Sequence, residues 1–306
     1  MVEQMQRTDL AVELQEDLSD KEILAGVHVS TQVNEDNDIK ETKILIDSPE
    51  GAETFGKPMG TYITIESEEL RLGDEEYHEP MSQALYKHLV NMIGGASKIL
   101  VAGLGNRAVT PDALGPYVVD NLYITRHLIR EELLDNVYDI SAIAPGVMAQ
   151  TGIETQELLR AIVHETKPDL LIVIDALAAM NSDRLNKTIQ LSDSGIAPGS
   201  GVGNHRKAIT EESMGVKVIA IGVPTVISVP AIIEDAMDMM LEAFGRNGMR
   251  EAIEEFTDEE RYELASEMVK PYLARMYVTP KNIDEAMKRI SYTISEAINH
   301  LHHSYI

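Results

Sequence analysis

Three continuous apolar runs in the middle of the chain have the length of β-strands. They extend from Lys98 to Gly105, from Asp169 to Asp175 and from Val216 to Gly222. Strands that are covered on both faces of a sheet have this uninterrupted pattern. Helical periodicity marks the segments around them, which are residues 82–92, 111–129, 152–165 and 232–244. The alternation predicts an α/β fold with a mostly parallel, twisted sheet flanked by helices.

The first quarter of the chain is polar and acidic. Residues 1–80 contain 21 acidic and six basic residues. Their net charge of −15 is more than half of the net charge of −25 of the whole chain. Short alternating runs at Thr42–Asp47 and Thr61–Glu66, separated by turn residues, predict antiparallel strands. We therefore expect an acidic, β-rich extension over residues 10–80.

The last quarter has a helical pattern. Apolar residues recur at helical spacing in residues 249–255, 258–276 and 283–300. Thr279 and Pro280 would begin the last of these helices as its N-cap and its first residue. We expect an α/β core over residues 81–246 and C-terminal helices that pack on it over residues 247–306.

Composition excludes several classes of protein and site. A net charge of −25 argues against direct nucleic-acid binding, because that requires a basic face. The absence of cysteine excludes disulfides, cysteine-ligated zinc and thiol nucleophiles. No segment reaches the ~18 apolar residues of a membrane span, and residues 1–13 have no run typical of a signal peptide. We expect a cytoplasmic protein that binds no membrane, and neither a cofactor nor a metal.

Two aspartates stand at or near the ends of predicted parallel strands. Asp112 lies in the loop after the first strand, and Asp175 ends the second. Ligands bind beyond the carboxyl ends of parallel strands, so the two loops share an edge if the strands are neighbours. Paired carboxylates can act as a base toward water and as an acid toward a carbonyl or leaving amine. This pair is our candidate for catalysis.

Each aspartate also has a structural interpretation. Thr110 and Pro111 would place Asp112 in the first turn of a helix, where the dipole favours an acid by ~0.3–1 kcal/mol. Asp175 could hold neighbouring loop amides, because a carboxylate at the end of a buried strand is costly unless it is paired or hydrogen-bonded. Their spacing along the chain does not decide between these roles.

A glycine-rich segment follows the second strand. Gly195, Gly199, Gly201 and Gly203 fall within nine residues, and such loops let backbone N–H groups approach a phosphate or an oxyanion. Neither a P-loop nor a dinucleotide-binding fingerprint is present. Ser200 lacks the elbow pattern of serine hydrolases and an identifiable base. Gly199, Ser200, Gly201 and Gly203 are candidates for a substrate or oxyanion loop, and a flexible surface loop is the alternative.

Nine motifs carry a resemblance to a known family, and the resemblance spans about residues 7–301. In chain order they are Arg7-Thr-Asp-Leu-Ala-Val-Glu13, Gly103-Leu-Gly-Asn106, Thr110-Pro-Asp-Ala-Leu-Gly-Pro116, Ile124-Thr-Arg-His127, Ala144-Pro-Gly-Val-Met148, Thr151-Gly-Ile-Glu-Thr155, Ile174-Asp-Ala-Leu-Ala178, Gly199-Ser-Gly-Val-Gly-Asn204 and Ile221-Gly-Val-Pro-Thr225. On these motifs the chain resembles the germination protease family, the spore endopeptidases of Bacillus- and Clostridium-type bacteria.

The resemblance implies an aspartic-type endopeptidase that degrades small acid-soluble spore proteins during germination. It implies a fold like that of hydrogenase maturation endopeptidases, and a homotetramer in the forespore or spore core. The family's two catalytic aspartates lie in the motifs that contain Asp112 and Asp175 here. The family is made as a zymogen that removes its own N-terminal propeptide.

The expected propeptide is residues 1–9, cut between Asp9 and Leu10. Thr8–Glu13 looks like the family's substrate motif, in which cleavage follows an acidic residue and precedes an apolar one and alanine. Leu10 would fill a pocket, whereas Asp9 would need a cationic or protonated partner, which predicts processing favoured at lowered pH. The alternative is that residues 7–13 begin a helix or form a structural arm.

Two other functions stay open at this point. One is a metal-dependent endopeptidase of the maturation type, which would need a histidine beside the same acids. The other is a non-catalytic homologue that binds spore proteins. The lack of a convincing histidine ligand disfavours the first, and retention of both acids disfavours the second. The chain also departs from the family pattern, with Val226-Ile-Ser228 where the family has Val-Val-Asp.

Overall fold

The fold is described from a computed structural model, which covers residues 8–17, 25–72, 78–202, 206–245, 269 and 272–305. The helices predicted over residues 249–255 and over most of 258–276 lie outside the described residues. In the described part of the chain, no helix combines the length and the apolar character that crossing a membrane requires.

Strands and helices alternate through the middle of the chain. The helices are α1 (Ala11–Asp17), α2 (Pro49–Phe55), α3 (Glu68–Leu72), α4 (His78–Ile93), α5 (Leu114–Asp120), α6 (Arg126–Arg130), α7 (Met148–Thr151), α8 (Thr155–Thr166), α9 (Glu211–Met214), α10 (Val229–Gly245) and α11 (Ile283–Asn299). The strands are β1 (Val27–Asn34), β2 (Ile39–Ile46), β3 (Gly60–Glu66), β4 (Lys98–Gly103), β5 (Asp139–Ile143), β6 (Leu170–Ala179), β7 (Thr188–Ser192), β8 (Lys217–Ser228) and β9 (Tyr277–Val278).

Within the described residues, nine strands form one mixed sheet in the order β1-β2-β3-β7-β8-β6-β4-β5, with β9 paired to β8. The strands β8, β6, β4 and β5 are parallel and form one half. The strands β1, β2, β3 and β7 are antiparallel and join the first half where β7 pairs with β8. The predicted α/β class is confirmed, and the predicted N-terminal strands extend the same sheet.

Helices on both faces explain the continuous apolar runs. Val101 and Ile172 point to the face covered by α4, α5 and α11. Their neighbours Leu100 and Leu171 point to the opposite face, which α8 and α9 cover. Each such side chain contributes ~1.5–3 kcal/mol when fully buried. The parallel strands are therefore held by apolar packing on both faces.

The helix predicted over residues 111–129 is interrupted. A 3-10 turn precedes α5, and a non-helical segment separates α5 from α6. Asn299 of α11 explains this gap, because its Oδ1 accepts from the Tyr123 N–H at 2.9 Å and its Nδ2 donates to the Asn121 carbonyl at 3.1 Å. These tertiary hydrogen bonds replace the helical ones.

The last helix begins later than the sequence predicts. Its first residue is Ile283 and Asn282 precedes it, so Thr279 and Pro280 lie outside the helix. The Thr279 hydroxyl instead donates to the carbonyl oxygen of Thr225 at 2.7 Å. This bond fixes the end of β8, which borders the cleft described next.

Candidate active site

Asp175 lies on β6, in the parallel half of the sheet. The strand is buried along almost its whole length, and Asp175 is 5% exposed. The Ala176 N–H donates to its Oδ1 at 3.0 Å. Burial raises the pKa of Asp175 well above its usual range, and repulsion from Asp112 and Asp9 adds to the increase. This carboxyl group therefore keeps its proton to a higher pH than an ordinary aspartate.

Asp112 lies on the 3-10 turn that follows β4. Asp112 does lie in the first turn of a helix, as its structural interpretation predicts, but the helix is this 3-10 turn with Val109 at its N-cap, and α5 begins only at Leu114. The Asn106 N–H donates to Asp112 Oδ2 at 2.8 Å. Gly105, at φ +111°, permits this turn, since a Cβ there would lie 1.9 Å from the Asp112 carbonyl oxygen. Burial raises the pKa of Asp112, opposed by the Asn106 hydrogen bond and by the charge of Arg206.

The two carboxyl groups lie at the same edge of the sheet. The strands β4 and β6 are direct neighbours, with Gly103 opposite Ile174. Asp112 and Asp175 line one cavity of about 370 Å³. The expectation that neighbouring strands bring the two loops together is met. The arrangement offers two acids with raised pKa values beside a space that water or a peptide can enter.

Two further residues of this cavity have no distinctive signal in the sequence. Thr225 of β8 donates from its hydroxyl to the Pro111 carbonyl oxygen at 2.7 Å, which ties the turn of Asp112 to the sheet. The charge of Arg206 lowers the pKa of both acids and so opposes the effect of burial. Arg206 follows the glycine-rich segment. The glycine pattern predicts a loop there, but it does not predict where the side chain of Arg206 points.

Ser228, where the family pattern has an aspartate, has a structural contact. Its hydroxyl oxygen accepts from the Ala231 N–H at 3.2 Å, at the beginning of α10. Of this stretch of β8, Thr225 and Val226 are the described residues that line the cavity. The serine therefore acts at a helix start beside the site.

The N-terminal segment occupies the same cleft. Asp9 lines the cavity of the two acids. Its Oδ1 accepts from the Ser200 hydroxyl at 2.5 Å and from the Gly201 N–H at 2.9 Å, and its Oδ2 accepts from the Ala178 N–H at 3.0 Å. Three neutral donors therefore contact this carboxylate directly, and the predicted cation is present as Lys57, which acts on it through charge attraction. A Cβ on Gly201 would lie 2.4 Å from Asp9 Oδ2, so the contact requires glycine.

Leu10 fills a pocket beside this contact. Its side chain is fully buried and packs with Val12, Leu177 and Ile196. The helix α1 begins at the next residue, Ala11. The segment therefore begins a helix, as one interpretation of its sequence predicts, and cleavage after Asp9 stays a prediction.

Glu13 anchors α1 to the end of β6. Its two carboxylate oxygens accept from the Met180 N–H at 2.9 Å and from the Asn181 N–H at 2.8 Å. The Thr8 hydroxyl donates to the same carboxylate. Burial raises the pKa of Glu13 to about 7, opposed by these hydrogen bonds and by Arg184. A titratable group therefore holds the N-terminal segment.

The backbone carbonyl of Asp9 faces the antiparallel half of the sheet. Lys57 Nζ donates to this oxygen at 3.0 Å, and Gln190 Nε2 donates to it at 3.2 Å. Lys57 follows the end of α2, where the sequence indicates only a turn. Gln190 lies on β7, a strand that the hydrophobic pattern does not predict. Sequence patterns therefore miss both residues.

The glycine-rich loop divides into three parts. Gly199 lines the cavity, Ser200 and Gly201 bind the Asp9 carboxylate, and Gly203 lies outside the described residues. The loop therefore contacts a peptide segment, as a substrate loop would. Across the described ranges, no three His, Asp or Glu side chains are arranged to hold a metal ion.

Several chains among the solved structures match this fold. One of them is the [NiFe] hydrogenase maturation protease HycI from Thermococcus kodakarensis KOD1, with a TM-score of 0.35 and 16% identity. The match covers 69% of this chain and 98% of that chain. A likeness at this level carries no argument about fold or function.

Comparisons of sequence are much stronger. A family model described as germination protease matches residues 4–255. The germination protease of Caldanaerobacter subterraneus subsp. tengcongensis is 43% identical over 303 residues, covering 96% of this chain and 93% of the relative. Those of Clostridium tetani and Priestia megaterium are 38% and 39% identical, over 96% of this chain and 94% and 91% of theirs. The chain therefore belongs to the germination protease family.

Proposed function

We propose that the protein is an endopeptidase that begins the degradation of small acid-soluble spore proteins during germination, with Asp112 and Asp175 as its catalytic pair. One observation carries the proposal. The two carboxyl groups, both with raised pKa values, share a cleft that already holds a segment of polypeptide. Membership of the germination protease family supports proteolysis in a spore setting.

In the proposed mechanism the two acids have different roles. Asp175 holds the shared proton, because it is the more deeply buried of the two and lies near two other carboxylates. Asp112 is ionised, held by the Asn106 N–H and near Arg206, and it accepts a proton from the attacking water. Asp175 then gives its proton to the leaving amine. General acid–base transfer of this kind contributes ~10²–10⁴ in rate.

The same site would cut the chain's own Asp9–Leu10 bond and release residues 1–9. The support is the position of Asp9 in the cavity and of Leu10 in its pocket. Lowered pH would favour the cut, because protonation of Glu13 strengthens the docking of the segment. The proposal includes the homotetramer and the forespore or spore-core location, which the family resemblance supports.

The test is digestion of a purified small acid-soluble spore protein by the full chain. We expect cleavage that survives EDTA and reagents for thiols and active serines, since the chain has no cysteine and Ser200 bonds to a carboxylate. Mass spectrometry of the incubated protein should find a new N-terminus at Leu10.

Two outcomes would contradict parts of this proposal. Loss of activity on chelation, restored by a divalent ion, would favour the metal-dependent endopeptidase. An intact N-terminus at acidic and neutral pH, in protein that still digests the substrate, would reject self-processing and leave the protease assignment in place.

A further inference from the structure

Two buried donors hold the carbonyl group of Asp9 from the antiparallel half of the sheet. Lys57 is 9% exposed and Gln190 is 8% exposed. Their nitrogens lie 3.0 Å and 3.2 Å from the carbonyl oxygen. Gln190 also accepts the Ala11 N–H at 2.7 Å through Oε1, so its amide spans the peptide groups on both sides of Leu10.

The contact of Lys57 is unusual for a buried charge. A buried ammonium group is costly unless it is paired. Among the described residues, however, its hydrogen bond goes to a neutral carbonyl oxygen, and Asp9 and Glu13 act on it only through longer-range attraction. Burial lowers the pKa of Lys57, and these two negative charges oppose the decrease. A positive donor aimed at a neutral oxygen gains most when that oxygen becomes negative.

The register of the sheet places these donors opposite the acids. Gln190 on β7 pairs with Gly222 on β8, and Gly222 pairs with Asp175 on β6. Paired residues on neighbouring strands point to the same face, so Gln190 and Asp175 rise from one face about 10 Å apart, two strand spacings of ~4.8 Å. The Leu177 side chain lies over Gly222, since a Cβ there would be 2.4 Å from Leu177 Cδ1. Leu177 and Asp9 both line the cavities on the two sides.

We infer that Lys57 and Gln190 form the oxyanion site of this protease and donate to the carbonyl oxygen of the residue before the cut bond. The inference rests on the proposed function, since it takes Asp9–Leu10 as a bond that the enzyme cuts. In a substrate chain, the residue on the amino side of the cut bond takes the place of Asp9.

The cut then proceeds through a tetrahedral intermediate. Water adds to the carbonyl carbon, its proton passes to Asp112, and the π electrons of the carbonyl group move to oxygen. Lys57 and Gln190 stabilise that oxyanion, whose negative charge is absent from the ground state. Collapse of the intermediate restores the carbonyl group and breaks the C–N bond, and the leaving nitrogen takes the proton of Asp175.

The first test compares variants of the full chain in the first-order cleavage of the Asp9–Leu10 bond. Lys57→Met removes the ammonium group at similar length. Gln190→Glu keeps an acceptor for Ala11 but replaces the donor with oxygen. Each variant should slow cleavage by ~10²–10³, the usual loss for one oxyanion donor. Normal cleavage by folded Lys57→Met and Gln190→Glu would overturn the inference.

Lys187→Met is the matched control. Lys187 also lies in the antiparallel half, where its Nζ is 2.6 Å from Glu68 Oε1, away from the cleft. We expect its cleavage rate to stay close to that of the unaltered chain.

A second measurement separates catalysis from simple holding of the chain. The self-processed enzyme is given a peptide that copies residues 5–14. An oxyanion role lowers kcat and leaves KM nearly unchanged, because the interaction strengthens only in the transition state. A variant of Lys57 that raises KM and keeps kcat would show that this residue only positions the peptide, and would reject the inference.

A third measurement works even in a protein that cuts nothing. The protein is labelled with carbon-13 in its aspartate carbonyl groups and nitrogen-15 in its leucines. The NMR signals of Asp–Leu peptide bonds can then be observed alone, and there are three such bonds, after Asp9, Asp17 and Asp169. In an Asp112→Asn background, which keeps the bond intact, Lys57→Met should move only the Asp9 carbonyl signal upfield. An unmoved signal overturns the inference. The signal could also move although the unaltered chain has no peptidase activity. That result would overturn the proposed function and the catalytic role of Lys57, and would show only that Lys57 binds the carbonyl group.

Discussion

The two halves of the sheet contribute different groups to the cleft. The parallel half supplies the carboxyl groups, with Asp175 on a strand that is buried on both faces. The antiparallel half supplies Lys57 and Gln190, which contact the backbone of the N-terminal segment. The outer strands of this half are less buried, since β2 alternates between buried and less buried residues and β1 is exposed along most of its length, whereas β3 and β7 are mostly buried.

The packing of the two halves differs in the same way. The acids stand above the large apolar clusters that α4, α5, α8 and α11 form with the parallel strands. Lys57 stands near a small separate cluster that includes Ala11 of the N-terminal segment itself, with Ile44, Phe55 and Tyr62. The two acids are therefore positioned independently of the N-terminal segment, whereas the antiparallel half is packed partly by it. Substitutions in the two halves should separate chemistry from peptide holding.

The largest effect is expected in the parallel half. Asp112→Asn or Asp175→Asn should each lower the rate of proteolysis by at least ~10²–10⁴, because each removes one member of the acid–base pair. The N-terminal segment should stay docked, since its contacts are made by other residues. The measurements are digestion of a spore-protein substrate and amide-exchange protection at residues 10–13.

Asp120→Asn is the matched control for this pair. Asp120 lies eight residues after Asp112 and is ion-paired on the surface with Arg107, so its loss should cost ~1 kcal/mol or less in stability. Near-normal turnover by either Asp112→Asn or Asp175→Asn would show that the pair does not perform the chemistry. Loss of segment protection in the same variants would break the comparison between the two halves.

The parallel half is the part of the fold that the sequence predicts well. Runs such as Lys98–Gly105 and Asp169–Asp175 are unambiguous because both faces of these strands are apolar. The rule that ligands gather at the carboxyl ends of parallel strands then places Asp112 and Asp175 at one edge. Their roles stay a prediction, although the geometry brings them into one cavity.

The antiparallel half could not be predicted to the same depth. The strand β1 alternates Val27, Val29 and Val33 with polar residues, but it is an edge strand whose residues are exposed on both faces, so its place in the sheet comes from pairing with β2. The strand β7 is only five residues long, and long-range pairing with β3 and β8 defines it. Gln190 and Lys57 are 133 residues apart in the chain, and the strand pairing brings both of them to the carbonyl oxygen of Asp9. Local patterns cannot carry this information.

The next largest effect is expected in the pH dependence with which the N-terminal segment docks against the antiparallel half. Glu13 has a pKa of about 7 when the segment is docked, against an ordinary value of 4.5. A raised acid pKa means that the docked state binds the proton more tightly, so docking weakens as pH rises from 4.5 to 7 and is constant above 7. The change is on the order of 3 kcal/mol, a few hundredfold in the equilibrium for docking of the N-terminal segment.

Amide exchange at Leu10 and Ala11, measured from pH 5 to 8 and corrected for intrinsic exchange, tests this pH dependence. Glu13→Gln should flatten the profile, because the amide is neutral throughout and the guanidinium of Arg184, which acts on Glu13, stays charged in this range. A slope that persists in Glu13→Gln would assign the effect to another group, of which Asp175 is the obvious candidate.

The smallest effect is expected at the glycine-rich loop, which closes the cleft between the two halves. Ser200→Ala removes one of three donors to the Asp9 carboxylate, a hydrogen bond to a charged group worth ~1.5–3 kcal/mol. The Gly201 and Ala178 N–H groups remain, so we expect the lower end, about tenfold slower cleavage after Asp9. Ser200→Thr keeps the hydroxyl and should recover much of the rate, and Ser97→Ala, at the opposite edge of the sheet, should have no effect. A loss of cleavage rate as large as that of Asp112→Asn would instead show that Ser200 takes part in the chemistry. The groups that carry the reaction would then come from this loop as well as from the two halves of the sheet.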